Sequence, residues 1–175
     1  DDFTYRSTWK PGKVLFYQDF NIEIQRTWSR RFKTTLTAVA LAYNKDVIEV
    51  KTGYGTLYPL AVVLEAQYRI TSRSAIRTEL SHMQVRGDMG NWAFALLEYT
   101  PVSNVYLTVF DEWNYGNPDQ DHRFHYPAVS LTYVTGGTRI AFGYAKQRAG
   151  ILCVGGVCRL VPASNGFSLN ITSTL

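Results

Sequence analysis

The sequence has no long apolar run. Nowhere do the roughly 18 consecutive apolar residues of a membrane helix occur together, so a helical span is excluded. Charge is sparse as well. Asp, Glu, Lys and Arg make up 18% of the 175 residues, against about 25% in an average soluble domain. The net charge of +4 is spread along the chain. The one basic run, Arg30-Arg31-Phe32-Lys33, is too short to track a nucleic acid, and no nucleic-acid partner is expected. Two cysteines are too few to hold a metal by themselves, and no cofactor is expected. No segment carries helical spacing with caps, which leaves an all-β chain. A basic-then-apolar leader is missing too, and a chain opening at Asp1 suits a mature or truncated polypeptide.

What the chain does have is aromatic side chains, at 14% with 12 tyrosines, and strict two-residue alternation. The clearest stretch is Tyr58 to Thr71. One face reads Tyr58, Leu60, Val62, Leu64, Ala66, Tyr68, and the other Ala61, Val63, Glu65, Gln67, Arg69. Ten steps of ~3.3 Å tilted by ~40° rise roughly 25 Å, the height of the lipid-facing band of an outer-membrane barrel. Averaging an apolar and a polar face also explains the slightly negative mean hydropathy.

About ten segments alternate in this manner, over 2–9, 13–27, 32–44, 57–71, 75–86, 91–100, 105–114, 124–135, 138–148 and 162–175. Counted back from the C-terminus, their connections alternate long and short. The exception is Lys10-Pro11-Gly12, short where the pattern asks for long. Membrane barrels alternate this way because periplasmic turns are tight and outer loops long. The expectation is one domain over 1–175, an antiparallel transmembrane up-and-down β-barrel of about ten strands, or the C-terminal ten strands of a larger barrel.

On this plan aromatics sort into two levels, as two membrane interfaces favour. Trp28, Phe32, Tyr68, Tyr99, Tyr106 and Tyr133 fall near the periplasmic ends, and Tyr43, Tyr58, Trp92, Trp113 and Tyr126 near the outer ends. Parity sends Val14, Phe20, Ile22, Ile24, Val39, Leu41, Tyr43, Leu80, Leu107, Leu131 and Phe142 outward. It sends Asp19, Glu23, Glu65, Gln67, Arg69, Arg77, Glu79 and Arg139 into the lumen, among small residues such as Ala38, Ala40 and Gly143. A soluble lipocalin-like barrel alternates equally well with its apolar face inward. Small residues mixed with opposite charges suit a crowded lumen better. Leu96-Leu97 breaks the alternation and suggests a bulge, and Asp111 falls on the apolar side of its segment.

Three constellations could carry chemistry. In Cys153-Val154-Gly155-Gly156-Val157-Cys158 the Gly-Gly pair is a two-residue hairpin turn, which sets Cys153 opposite Cys158. At the ~4.5 Å α-carbon spacing of a non-hydrogen-bonded pair a disulfide is reachable, implying an oxidising compartment. A three-residue turn Ser72-Arg73-Ser74 would set Arg69 opposite Arg77 and Glu65 opposite Ser81, so that Arg69, Arg77, Glu65 and Glu79 form a charged ladder. The loop 117–125 with Asp119, Asp121, His122 and His125 has only a weak likeness to a calcium loop and reads as polar surface. Ser81 and His82 point to opposite faces of one strand, which argues against a hydrolase.

The closing segment alternates through Phe167, Leu169, Ile171 and Leu175, like the strand by which outer-membrane barrels are handed to their assembly machinery. Over 133–175 the chain resembles the C-terminal end of a Bacteroidota outer-membrane β-barrel family of unknown function. The residues that carry the resemblance are Gly136-Gly137-Thr138-Arg139, Lys146-Gln147-Arg148-Ala149-Gly150, the cysteine hairpin with Arg159, and Pro162-Ala163-Ser164-Asn165-Gly166-Phe167. The resemblance implies a longer parent barrel and brings no catalytic residues. The expected function is a non-enzymatic structural or accessory subunit of a cell-envelope assembly in a bacterial outer membrane. Its partners would be the lipid bilayer, the barrel-assembly machinery and other outer-membrane proteins. A porin-like channel for small polar solutes, an outer-membrane hydrolase using His82, His122 or His125, and a secreted β-sandwich are the competing readings.

Overall fold

The computed structural model describes residues 16–50, 52–154 and 157–174, with side chains at 150–161 outside the described set. The expected strand at 2–9, the link 10–12, Val14 and Leu175 also lie outside it. The long strands are β1 (Tyr17–Thr27), β2 (Phe32–Asn44), β4 (Leu60–Arg69), β5 (Ala75–Gln84), β6 (Trp92–Val102), β7 (Val105–Trp113), β8 (His125–Thr135), β9 (Thr138–Gln147) and β12 (Ser164–Ser173). Short pieces intervene: α1 (Lys45–Ile48), β3 (Thr56–Leu57), a 3₁₀ turn at Gln120–His122, and the hairpin β10 (Gly150–Val154) with β11 (Val157–Val161). The sequence offered no helix signal at α1. That single turn exists because Asn44 caps it, accepting from the Val47 N–H at 3.2 Å.

Each long strand pairs antiparallel with the next, in the order β1-β2-β4-β5-β6-β7-β8-β9-β12, with β3 added beside β2 and β10–β11 forming a separate two-stranded sheet. The connections 28–31, 70–74, 103–104 and 136–137 are short and share one end of the sheet. Those at 45–59, 85–91, 114–124 and 148–163 share the other. The up-and-down antiparallel order is as expected. The sheet is open, however: β1 and β12 are its edges, and every residue of both is exposed.

No second layer packs on this sheet among the described residues. The buried apolar residues are Ala42, Leu57, Val85, Trp92 and Ala128, scattered over strands and loops rather than gathered into a core. Stability therefore rests on the backbone ladder and on cross-strand pairs. In an antiparallel ladder directly opposed residues share a face, so the register sorts the side chains.

That sorting corrects the sequence reading at three places. Ala38 and Ala40 of β2 stand opposite Val62 and Leu60, and hence on the apolar face, while Val39, Leu41 and Tyr43 lie on the polar one. β6 runs through Leu96-Leu97 without a bulge, and its ladder shifts only between Tyr99 and Val102. The turn after β4 spans 70–74, closed by Ile70 and Thr71 N–H bonds to the Ser74 carbonyl, so Arg69 opposes Ala75. Gln67 then opposes Arg77, and Glu65 opposes Glu79. Slipping by two residues keeps every side chain on its face and changes only its partner. At Asp111 the register holds: it lies on the apolar face opposite Pro127.

Candidate functional site

The two faces of the sheet differ in chemistry and in exposure. One carries Phe20, Ile22, Ile24, Leu36, Leu60, Val62, Leu64, Leu80, Leu97, Leu107, Val109, Val129, Leu131, Phe142, Leu169 and Ile171, all exposed, from 41% for Leu107 to 63% for Ile171. This is one contiguous apolar surface across nine strands. Soluble monomers rarely expose more than a few hundred Å² of such surface. Tyr68, Tyr99 and Tyr133 stand on this face toward the short turns. Trp113 stands on it toward the long connections, where exposed Tyr58 also precedes β4. On the last two strands Phe167 stacks on Phe142 at 5.9 Å and meets Tyr144 at 5.3 Å.

The opposite face is polar and more sheltered. It carries Glu23, Glu65, Gln67, Arg69, Arg77, Glu79 and Arg139. Three of them meet. Arg77 donates through Nε to Glu65 at 3.0 Å and through Nη2 to Glu65 at 2.8 Å and Glu79 at 2.7 Å. Glu98 stands opposite Arg77 on β6, a third carboxylate on the same face. Arg69, Gln67, Glu23 and Arg139 remain exposed and outside this cluster, and the four-residue ladder expected from sequence is a three-residue one. Beside it a recess of about 390 Å³ is lined by Glu98, Tyr106, Thr108, Ser130, Thr132 and Arg139. Tyr106, expected among the interface aromatics, thus faces the polar side.

The sequence reading missed a second feature of this face. Toward the long connections it turns apolar: Trp92, Phe94 and Leu96 alternate onto it from β6 and Phe110 from β7, with Phe94 and Phe110 at 5.6 Å. Trp92, expected at a lipid interface, is only 5% exposed and lies 6.1 Å from Tyr126. Arg148 covers its ring at 4.7 Å while reaching Glu112 at 3.4 Å. In sequence the run Trp92 to Leu97 is apolar at both parities, so alternation carried no signal there.

The long connections are tied to one another. Lys45 is buried and pairs with Asp88 at 2.5 Å. Asp46 accepts from the Tyr54 and Gly55 N–H groups, which hold its carboxyl below the usual range. Gly116 donates to the Asn91 carbonyl at 3.0 Å, and a side chain at Gly90, whose φ is +72°, would strike the Gly116 carbonyl. Asn114, 2% exposed, donates its backbone N–H to the Phe124 carbonyl at 3.1 Å.

Among the described residues the histidines meet one tyrosine hydroxyl and two carboxylates. His82 bonds the Tyr115 hydroxyl, on the face opposite Ser81. His122 contacts Asp119 at 2.7 Å, and His125 contacts Asp111 at 2.5 Å beneath the Trp113 ring. No cluster able to hold a metal occurs among the described residues. The backbone register sets Cys153 opposite Cys158, as the sequence implied, while their side chains lie outside the described set.

A family model described as a family of unknown function (DUF6029) matches residues 2–175. No curated protein and no solved structure matches the chain.

Two outcomes follow from this geometry. Replacing Arg77 by Met strands carboxylates on a half-buried face and should cost about 1–3 kcal/mol, discounted for partial exposure. Adding Glu65→Gln and Glu79→Gln should recover most of it, as urea unfolding would measure. The hydrogen bond from His122, aided by the Asp121 N–H, holds the Asp119 carboxyl below its ordinary 3.8. A depressed carboxylate contributes its stabilisation above the unfolded value and loses it as pH falls through the folded one. The loop 117–123 should therefore resist pepsin near that ordinary value and open at lower pH, a difference that Asp119→Asn should remove.

Proposed function

The chain belongs to this family of unknown function, so its role has to be read from its own residues, and we propose that it is an integral β-barrel of a bacterial outer membrane, non-enzymatic, serving as a structural or accessory subunit of a cell-envelope assembly. The observation that carries this reading is the contiguous apolar face, exposed on every long strand and edged with tyrosine and tryptophan, while charge gathers on the sheltered side. Such a face suits acyl chains, with the aromatic rings at two interfaces. Putting all long connections at one end suits a protein whose tight turns face the periplasm. The Bacteroidota affinity belongs to the same reading.

The polar face then becomes the lumen. Its lower part holds the Arg77 cluster and its upper part the Trp92, Phe94 and Phe110 rings, so a narrow barrel would be filled by its own side chains. This favours an accessory role over a porin-like channel. The ending Phe167, Leu169, Ile171 suits recognition by the barrel-assembly machinery, and other outer-membrane proteins are the natural partners. In the oxidising space outside the membrane Cys153 and Cys158 would be bridged, closing the β10–β11 hairpin.

Adjacent residues at mid-height test the reading. Ala38→Arg places a cation on the apolar face and should cost about 2–4 kcal/mol of folding stability in lipid vesicles, whereas Thr37→Arg, facing the lumen, should be tolerated. Equal tolerance, or a chain that stays in the aqueous phase without detergent, would refute the membrane assignment. In planar bilayers the protein should be electrically silent. Steady unitary conductance would favour the channel.

A further inference from the structure

The recess on the polar face owes its depth to β9. Ala141 and Gly143 stand opposite Thr132 and Ser130 of β8, so β9 contributes only a methyl group and a hydrogen to that part of the floor. Gly143 has no room for more, since a Cβ there would lie 2.7 Å from the Val129 carbonyl oxygen. The space of about 390 Å³ is that of a small-ligand site.

The polar groups around it are not used up by the protein. Thr132 is only 7% exposed, yet among the described residues its hydroxyl has no hydrogen-bond partner. A hydroxyl withdrawn from water in this way carries a cost that a bound donor or acceptor removes. At one corner Arg139 is exposed between the uncharged Val134 and Thr172, and the sequence holds no Asp or Glu beyond Asp121. At the other corner Glu98 is half-buried, and the guanidinium opposite it, Arg77, is bonded to Glu65 and Glu79. The recess therefore has an unpaired cation at one end and an unpaired anion at the other, with hydroxyls between them.

We propose that the recess binds a short zwitterionic peptide, with its carboxylate on Arg139, its ammonium group on Glu98 and its amides on the hydroxyls of Thr108, Ser130 and Thr132. Spacing selects the length. Glu98 and Arg139 are separated by three strand spacings of ~4.8 Å and four residue steps of ~3.3 Å, a diagonal of roughly 20 Å between α-carbons. The two side chains reach in from its ends, and a tripeptide of roughly 10 Å fits between them, whereas a single amino acid is too short to touch both. A neutral saccharide would satisfy the hydroxyls and leave both charges unpaired. The inference rests on the barrel reading in one respect: it makes the polar face a lumen, with the recess at the short-turn end and open to periplasmic solutes.

Calorimetric titration of the full chain in detergent micelles tests this, with trialanine, trialanine amide, N-acetyl-trialanine and maltotriose as probes. Trialanine should bind, and each blocked peptide should bind about ten-fold more weakly or worse, as loss of a charge-assisted hydrogen bond implies. Arg139→Gln should weaken trialanine to the level of its amide and erase the difference between the two. Glu98→Gln should do the same for the acetylated form. Arg69→Gln, on the same face outside the recess, should alter neither comparison. The blocked peptides probe the unaltered protein, so the outcome does not depend on any variant folding. Equal binding of free and blocked peptides, binding of maltotriose in their place, or no binding at all would overturn the proposal. Flotation with lipid vesicles separates it from the membrane reading. Protein that inserts yet ignores trialanine loses the peptide site alone; protein that stays in the aqueous phase loses the membrane reading, while the titration still decides a recess that four adjacent strands build by themselves.

Discussion

A nine-strand antiparallel meander on which, among the described residues, no second layer packs is the constraint from which the rest of this molecule follows. In a layered domain, strands are held by the burial of one face against another element. Here the apolar face of every long strand is exposed and the few buried apolar residues are dispersed. Register is thus left to the turns and to opposed side chains, and each turn fixes which chemistry meets which. The turn at 70–74 shows how much depends on this. By opposing Gln67 rather than Arg69 to Arg77, it frees Arg77 to bind Glu65 and Glu79 together.

The sequence made the architecture legible because connections and alternation are independent signals that agreed. Long and short links gave the meander. Alternation in β4, β9 and β12 gave the correct faces, since each of those strands sets bulky apolar residues against small or charged ones. Where this contrast fades, the reading failed. β2 is apolar or hydroxylated at both parities, so Val39 and Leu41 outweighed Ala38 and Ala40, although the alanines share a face with Leu36 and Leu60. β6 has the same ambiguity, resolved by the Phe110 and Tyr126 rings that receive its aromatics from neighbouring strands.

The charged cluster was half legible for a different reason. Residue type and face were readable from Glu65, Arg77 and Glu79, but pairing depends on loop closure, and the Ile70 and Thr71 bonds to Ser74 are not encoded by any strong turn dipeptide. Polar and aromatic halves of one face then divide the labour. Arg77 gathers carboxylates toward the short turns, and Trp92 with Arg148 and Glu112 closes the other end, next to loops tied by Lys45 and Asp88.

The β10–β11 hairpin shares no ladder with the main sheet. A substitution within it shifts the register of no strand of that sheet. On the membrane reading proposed above, a change in this arm would alter what the arm itself touches and leave the pairing of the long strands as it is.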